Sequence, residues 1–479
     1  MKGKPSAVPS VKHAKLPGKL VIVGFGSVGQ GVLPLLLRHL KVKRSDILII
    51  TSDQRGAREA ARFGVKFMAN PLDQGNYRAV LEPLLGRGDF LLNVSVDVAS
   101  VNLIELCQKR GALYLDTCIE PWAGGYVDRR LSPSQRSNYA LRDTALAIRE
   151  KHPQGPTAVL THGANPGLVS HFVKRALLDI ARDTRLKAPK PDTREQWAAL
   201  AEKLGIKVIH IAERDTQKAV PAKRHGEFVN TWSVDGFTGE GCQPAELGWG
   251  SHEKHFPHDG RRHKFGSGCA IYLQRPGAST RVRSWTPLEG PFHGFLITHG
   301  ESISIADYFT VKHGKNVRFR PTVHYAYHPC DDAVSSVHEL AGKNWKLQSQ
   351  QRVLMDDIED RGVDELGVLL MGHAKGAYWY GSRLSVDEAR RLLPYNNATT
   401  LQVTCSILAG IVWAVENPRC GVVDPDDIDF ERVLEIARPY LGELVGAYSN
   451  WTPLVDRGLL FPEDLDLDDP WQFKNFRVL

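Results

Sequence analysis

No C-x-x-C pair occurs in this 479-residue chain, and its seven cysteines lie far apart. That argues against a disulfide-stapled secreted scaffold and for free thiols in a reducing compartment. No block of one charge dominates. The net charge is +7, and the basic residues are scattered apart from Lys2 to Lys19 and Arg261 to Lys264, so nothing marks a nucleic-acid surface. Long hydrophobic runs are also missing. The longest late one, Ile407 to Val415, is too short to span a bilayer, and the basic N-terminus leads into a short apolar run that reads as a strand rather than a signal core. The chain has no G-x-S-x-G, no P-loop and no internal repeat. The segment His324-x-x-x-His328-Pro-Cys330-Asp331 and the group His252, His255, His258 and His263 have metal-like residue types but no structural-zinc spacing, so no metal is expected. What remains is a globular chain with length for two or three domains, expected in the cytoplasm, without nucleic-acid or membrane partners.

The most informative stretch runs from Leu20 to Leu40. Leu20 to Val23 reads as a buried strand, Gly24-Phe-Gly26-Ser27-Val28-Gly29 follows at once, and Val28, Val32, Leu35, Leu36 and Leu40 recur at helical spacing. Strand, glycine turn and helix form the context of a dinucleotide site. Gly24 suits the tight turn, Gly26 lets backbone approach a pyrophosphate, and Gly29 lets the helix pack on the strand. A second strand ends in Asp53, 24 residues after Gly29. A carboxylate there binds ribose hydroxyls and favours NAD over NADP, while Arg55 weakens that preference.

From Gly18 to about Gly163 strands and helices alternate, which predicts a parallel α/β sheet of the Rossmann type. Strands are expected at Leu20–Val23, Ile47–Thr51, Val65–Met68, Phe90–Val94, Leu113–Asp116 and Ala158–Leu160. Helices are expected at Ala57–Phe63, Tyr77–Leu85, Val101–Arg110 and Tyr139–Lys151. Beyond a polar link the pattern reads by twos with few helices, predicting an α+β domain with a mostly antiparallel or mixed sheet. One such run, Glu227 to Ser233, puts Phe228, Asn230 and Trp232 on one face. The expected division is a mobile tail over 1–17, a nucleotide domain over 18–165, a substrate and dimerisation domain over 166–394, and a helical segment over 395–479 returning to the nucleotide domain.

Ligands of an open parallel sheet bind beyond the carboxyl ends of its strands. Those ends carry Asn93-Val-Ser-Val-Asp97, Asp116-Thr117-Cys-Ile-Glu120 and Thr161-His-Gly-Ala-Asn165-Pro166. Asp97, Glu120, Glu213, Glu240, Glu301 and Asp364 form a set of acids at predicted ligand-facing ends. On a net basic chain such acids suggest a cationic substrate. Trp232 is a candidate cation–π platform, and His299 a candidate proton shuttle.

These pieces resemble the bacterial homospermidine synthases, relatives of the saccharopine and carboxynorspermidine dehydrogenases. The resemblance rests on Val21 to Gly31, Asn93 to Asp97, Leu115 to Trp122, Thr161 to Gly167, Ala212 to Asp215, Asn230 to Phe237 and Thr298 to Glu301. It implies an enzyme that joins two putrescine molecules into sym-homospermidine and releases ammonia, with spermidine left open as a further donor. NAD would be reduced and reoxidised within one cycle. By the same resemblance Trp232, Glu213, Glu240, His299 and Asn165 are catalytic, and Asp97, Glu120, Asp364 and Trp232 bind substrate. Cofactor contacts are expected from Gly24, Gly26, Ser27, Val28, Gly29, Asp53, Asn93, Thr117, Asn165 and Pro166, and the family is a homodimer. The general base is expected at Glu213 or Glu240. Two alternatives stand beside this reading: a net NAD(P)-dependent reductive aminase of the carboxynorspermidine or saccharopine type, and a non-catalytic NAD-binding protein.

Overall fold

The computed structural model describes residues 10–479. Residues 1–9 of the expected mobile tail lie outside the described residues. The rest of that tail is anchored, which corrects the expectation. Ala14–Lys15 pairs in parallel with Leu40–Lys41, and Lys12 Nζ donates to the carbonyls of Leu37 (2.7 Å) and Leu40 (3.0 Å). The carbonyls ending a helix lack intrahelical partners, and a lysine supplies them.

Apolar runs bounded by polar turns make the first sheet. Its strands are β1 (Leu20–Val23), β2 (Ile47–Thr51), β3 (Lys66–Ala69), β4 (Phe90–Asn93), β5 (Leu113–Asp116) and β6 (Ala158–Val159). They are all parallel, in the order β6-β5-β4-β1-β2-β3. The crossovers include α1 (Ser27–His39), α2 (Ala57–Phe63), α3 (Ser100–Arg110) and α4 (Asn138–Lys151). The inner strands β1, β4 and β5 are buried at every position, as a sheet covered by helices on both faces requires.

Helix α5 (Leu168–Asp183) leads out of this unit, and α6 (Arg194–Leu204) follows, started by the Thr193 cap on Gln196 N (3.3 Å). The second sheet has 11 strands and mixed direction. Its centre is β7 (Val208–Asp215). Beside it lie parallel β8 (Thr322–His328) and antiparallel β9 (Val363–His373), with β10 (Gly376–Ser385) outside β9. Pro321 cannot donate to a ladder and separates the strand Asn316–Phe319 from β8.

Helices are more frequent in this unit than the sequence pattern indicates. Val234–Cys242, Gly300–Tyr308, Asp331–Gly342 and Val386–Leu392 all lie between its strands. The first two are glycine-rich or carry Ile303 and Ile305, so their intrinsic helix preference is weak; the Ser233 cap helps hold the first, and burial holds the second. The strand expected to reach Ser233 stops at Asn230. Ser233 Oγ accepts from Gly236 N at 3.0 Å and opens Val234–Cys242, so Trp232 sits on a turn and not on a strand.

The last segment divides between the two units, a correction to its expected return as one piece. Helix α7 (Ala398–Glu416) packs on α1, Val422–Val423 extends the parallel sheet beyond β6, and Glu443–Ser449 then pairs with β10 at the edge of the second sheet. With 19 residues and a mean hydropathy of 1.6, α7 is long and apolar enough to cross a membrane, but 89% of its most apolar stretch is buried inside the fold. Its apolar surface on all sides is what a central core helix carries.

Candidate active site

At the carboxyl end of β1 the chain turns at Gly24, whose φ of +92° favours glycine, and a Cβ there would lie 2.7 Å from Ser95 N. A Cβ on Gly29 would meet Gly24 O at 2.8 Å, so helix and strand approach as closely as backbone allows. A Cβ on Gly26 would meet nothing within 4 Å, which leaves that side open for a ligand. Helix α1 starts with no side-chain cap and no acid in its first turn. Its first amides, on Ser27 and Val28, and its positive dipole end therefore suit a pyrophosphate. Asp53 lies just past β2, and its carboxylate accepts from Arg55 N (2.7 Å) and Nε (2.8 Å). Those bonds hold it ionised, below the usual carboxylate range. The residues present fit a dinucleotide.

Strand β7 carries Glu213 and Asp215 on one face of the second sheet. On β8, Tyr327 pairs with Glu213; on β9, Asp364 pairs with Asp215. Like charges directly opposite on a sheet repel, so this arrangement serves something other than stability. Glu213 is buried and accepts from Asn165 Nδ2 (2.5 Å) and from Tyr325 Oη through the same oxygen. Burial raises it to about 7 against the lowering effect of those two bonds. Asp215, raised to about 6 by burial, accepts from Thr231 Oγ1 (2.9 Å) and Gln217 N (2.8 Å). Asp364 accepts from Thr399 Oγ1 (2.6 Å) and leaves Oδ1 unpartnered. Burial, then Glu213 and Asp215, push it well above the carboxylate range. Among the described residues no lysine or arginine forms an ion pair with any of these three carboxylates; Arg214 donates to the Asp215 backbone carbonyl and lowers the Asp215 carboxyl only through space.

An aromatic wall closes this face. The Tyr325 and Tyr327 rings stack at 5.0 Å, Trp232 Nε1 donates to Tyr327 Oη at 3.0 Å, and Phe237 sits edge-on to both Trp232 (5.7 Å) and Tyr327 (5.8 Å). Trp232 is only half-buried, so part of its ring remains free.

A second acidic set adjoins the first through His299, whose ring lies 4.5 Å from Tyr325. His299 Nε2 meets Glu240 Oε2 at 2.9 Å and Nδ1 meets Glu301 Oε1 at 3.2 Å. Burial alone would lower the imidazole; the Glu240 and Glu301 carboxylates outweigh it and raise it well above its ordinary value. The two carboxylates thus favour the imidazolium form of His299. Cys118 Sγ reaches Glu240 Oε1 at 3.5 Å, and Glu120 is lifted to about 8 by burial and by Glu240. Asp97 stands at the exposed rim, raised by desolvation and by Asp235. Its φ of +62° is a backbone setting that Asp tolerates better than most residues.

The structure brings Asn165, Glu213, Trp232, Asp364, His299, Glu240 and Glu120 into one contiguous site, while Gly24 to Gly29 and Asp53 mark its nucleotide end. Pro166 Cγ lies 3.6 Å from the position of a Cβ on Gly300, next to His299, and Thr117 Cβ lies 3.5 Å from one on Gly163. Asn93 ends β4 beside the Gly24 turn. It is buried, and its Oδ1 accepts from Ser95 Oγ at 2.6 Å, so it shapes the turn after β4 from beneath. The metal-like histidines disperse: His324 bonds Tyr325 O, His252 Trp471 O and His255 Asp466, and His263 stacks on Tyr139. Sequence reading missed Tyr325, Tyr327, Asp215 and Thr399. The alternation of His324 to His328 and of Glu213 and Asp215 shows which of them share a face, but only the fold shows that the faces meet.

Such a site, a dinucleotide turn facing buried carboxylates and a tryptophan, defines a dinucleotide-dependent enzyme for a cationic amine. The family model of the saccharopine dehydrogenase NADP-binding domain matches residues 20–159, and that of the saccharopine dehydrogenase C-terminal domain matches 163–448. The homospermidine synthase of Blastochloris viridis is 54% identical over 471 residues, covering 97% of this chain and 98% of its own. That of Mesorhizobium japonicum is 51% identical over 97% of each chain. The crystal structure of the Legionella pneumophila homospermidine synthase in complex with NAD superposes with a TM-score of 0.91, at 50% identity over 97% of this chain and 98% of that one. The chain belongs to the homospermidine synthase family.

Proposed function

We propose that this chain joins two putrescine molecules into sym-homospermidine, releasing ammonia, with NAD as its resident cofactor. The observation that carries the reading is the buried set Glu213, Asp215 and Asp364, without a lysine or arginine ion-pair partner among the described residues, beside a half-buried Trp232. Buried carboxylates need a counter-charge or a proton, and a diammonium ligand supplies the first. A substrate with an α-carboxylate, as the reductive aminase alternative requires, would meet only like charge here. A non-catalytic NAD-binding protein would have no use for the acids.

When bound, the nicotinamide takes a hydride from one amine-bearing carbon and returns it to the new carbon–nitrogen unit in the same cycle. Before that carbon can react, its ammonium must lose a proton. Glu213, at about 7, is matched to accept it near neutral pH, and Asn165 and Tyr325 aim its carboxylate. The cationic iminium that follows lies against the Trp232 face and the Asp364 carboxylate, which stabilise it more than the neutral amine before it. Glu120, at about 8, and Glu240 anchor the distal ammonium of the diamine. His299, held between Glu240 and Glu301, orients the Glu240 carboxylate. Attack by the second amine and loss of ammonia then proceed while the intermediate stays bound.

Gly24, Gly26, Ser27, Val28 and Gly29 hold the pyrophosphate in this reading, Asp53 the ribose, and Thr117, Asn165 and Pro166 border the nicotinamide. The same proposal includes a homodimer built on the second unit, and a cytoplasmic setting that the seven free cysteines support. Incubating the purified protein with putrescine and NAD tests the whole: sym-homospermidine and ammonia are the expected products, and a net reductive amination product would overturn it.

A further inference from the structure

One short segment touches both halves of the site. Tyr395 Oη accepts from Arg62 Nη1 (3.1 Å) on α2, and its φ of +62° is a left-handed setting that a tyrosine adopts only under constraint. Asn396 Nδ2 donates to Gly31 O of α1 (3.1 Å), the helix that begins at the dinucleotide turn. Asn397 Nδ2 donates to Thr231 O (2.6 Å), the residue before Trp232, and to Leu354 O (3.0 Å). Thr399 Oγ1 reaches Asp364. Within five residues the chain thus grips α2, α1, the Trp232 turn and one of the unpaired carboxylates.

The amide of Asn397 is completely used. Its Nδ2 holds the two carbonyls, and its Oδ1 accepts from Thr400 N (2.8 Å) and Thr400 Oγ1 (2.9 Å) to cap α7. The cap needs only an acceptor; the grip on Thr231 needs the donor as well. A residue chosen for capping alone would be as well served by serine or aspartate. The neighbouring Asn396 is also buried, and its Oδ1 lies 2.7 Å from the position of a Cβ on Gly31. The α1 backbone is therefore joined through contiguous contacts to Thr231, the residue before Trp232.

We propose that the turn over residues 395–399 is a positioning element that couples occupancy of the dinucleotide turn to the shape of the amine pocket. Asn397 acts as the positioning residue for Trp232, and Asn396 as its counterpart on α1. The proposal rests on the putrescine and NAD reading given above. It makes NAD and diamine binding cooperative, so that the pocket closes around an amine only when the hydride acceptor is in place.

ADP-ribose fills the pyrophosphate turn without hydride chemistry, so it separates binding from turnover. Putrescine is titrated calorimetrically into full-length, nucleotide-free protein with and without saturating ADP-ribose. The wild-type protein is expected to bind putrescine on the order of 10-fold tighter with ADP-ribose present, within the usual range of coupling between sites. Asn397→Ser keeps the cap and loses the grip. Its ratio is expected to fall below about 2-fold while its affinity for ADP-ribose alone stays within about 2-fold of wild type, a split that simple destabilisation does not produce. Asn396→Ser should lose the same coupling from the α1 side. If Asn397→Ser does not fold, Asn397→Asp, which is isosteric and retains the acceptor, takes its place. A wild-type ratio near one, or an unchanged ratio in the variants, overturns the proposal and leaves the functional reading intact. Absence of any putrescine binding with ADP-ribose bound overturns both.

Discussion

Trp232 donates its indole N–H to Tyr327 Oη at 3.0 Å, and Tyr327 is the register partner of Glu213 on the neighbouring strand. One tyrosine therefore adjoins both the proposed cation-facing ring and, across the ladder, the proposed base. Removing the hydroxyl in Tyr327→Phe should loosen Trp232 without emptying the wall. A neutral hydrogen bond of about 1 kcal/mol corresponds to a loss of roughly 5-fold in kcat/KM. Trp232→Phe should retain partial activity and Trp232→Ala lose most of it, since the cation–π contribution is about 0.5–2 kcal/mol and the alanine also opens the wall. Steady-state kinetics on the three variants check this, and an alanine variant with wild-type kinetics would remove the cation–π role.

The acid limb of the kcat/KM pH profile should report Glu213 at about 7. Tyr325 holds that value down by donating to the charged form, so Tyr325→Phe should move the limb to higher pH. Glu213→Gln should cost on the order of 10²- to 10⁴-fold, the usual contribution of a general base. A limb that stays in place in Tyr325→Phe would assign it to another group.

Ligand-free protein should become less stable as pH rises from about 5 to about 8. The folded values of Glu213 (about 7) and Glu120 (about 8) lie above their unfolded value of 4.5, so the native state holds the extra protons across that window. His299 adds the same sign: its folded value is raised, and its stabilisation fades as pH climbs through that value. Each group contributes at most about 1.4 kcal/mol per pH unit in its window. Putrescine should raise the Tm more at pH 8 than at pH 6, because it supplies the positive charge that protons supply at lower pH. Thermal melts with and without the diamine decide this, and a ligand-free Tm that climbs over the same range would contradict it.

The two glycines of the dinucleotide turn should separate folding from binding. Gly26→Ala meets no atom within 4 Å, so its Tm should stay near wild type while its affinity for NAD falls 10-fold or more, by the order of 1.4 kcal/mol that such a factor represents. Gly24→Ala carries a positive φ and a contact at 2.7 Å, and should lower the Tm itself. Melts and NAD titrations on both variants distinguish the two roles.

Much of this was legible in the sequence where local signals agree. The strands Leu20–Val23, Ile47–Thr51 and Leu113–Asp116 and the helix Ala57–Phe63 fall on the residues that their periodicity and flanking turns mark. The glycine spacing is legible for the same reason, because each glycine answers to its own neighbours. Trp232 was misplaced onto a strand because the Ser233 cap competes with an alternation that ends at Asn230. Tyr325 and Tyr327 look like core aromatics until the fold sets them over Glu213. The contacts of Asn397 and Thr399 were beyond reach, since they join residues more than 30 apart in the chain and no local pattern encodes them.

The most direct test uses putrescine carrying two deuterium atoms on its reacting carbon, turned over with the enzyme and NAD in ordinary water, with the product analysed by mass spectrometry. A hydride taken up and given back in one closed site predicts sym-homospermidine that keeps both deuterium atoms at the new carbon–nitrogen bond. Loss of one of them in step with product formation would show that the reducing equivalent leaves the enzyme, and would contradict the internal hydride cycle.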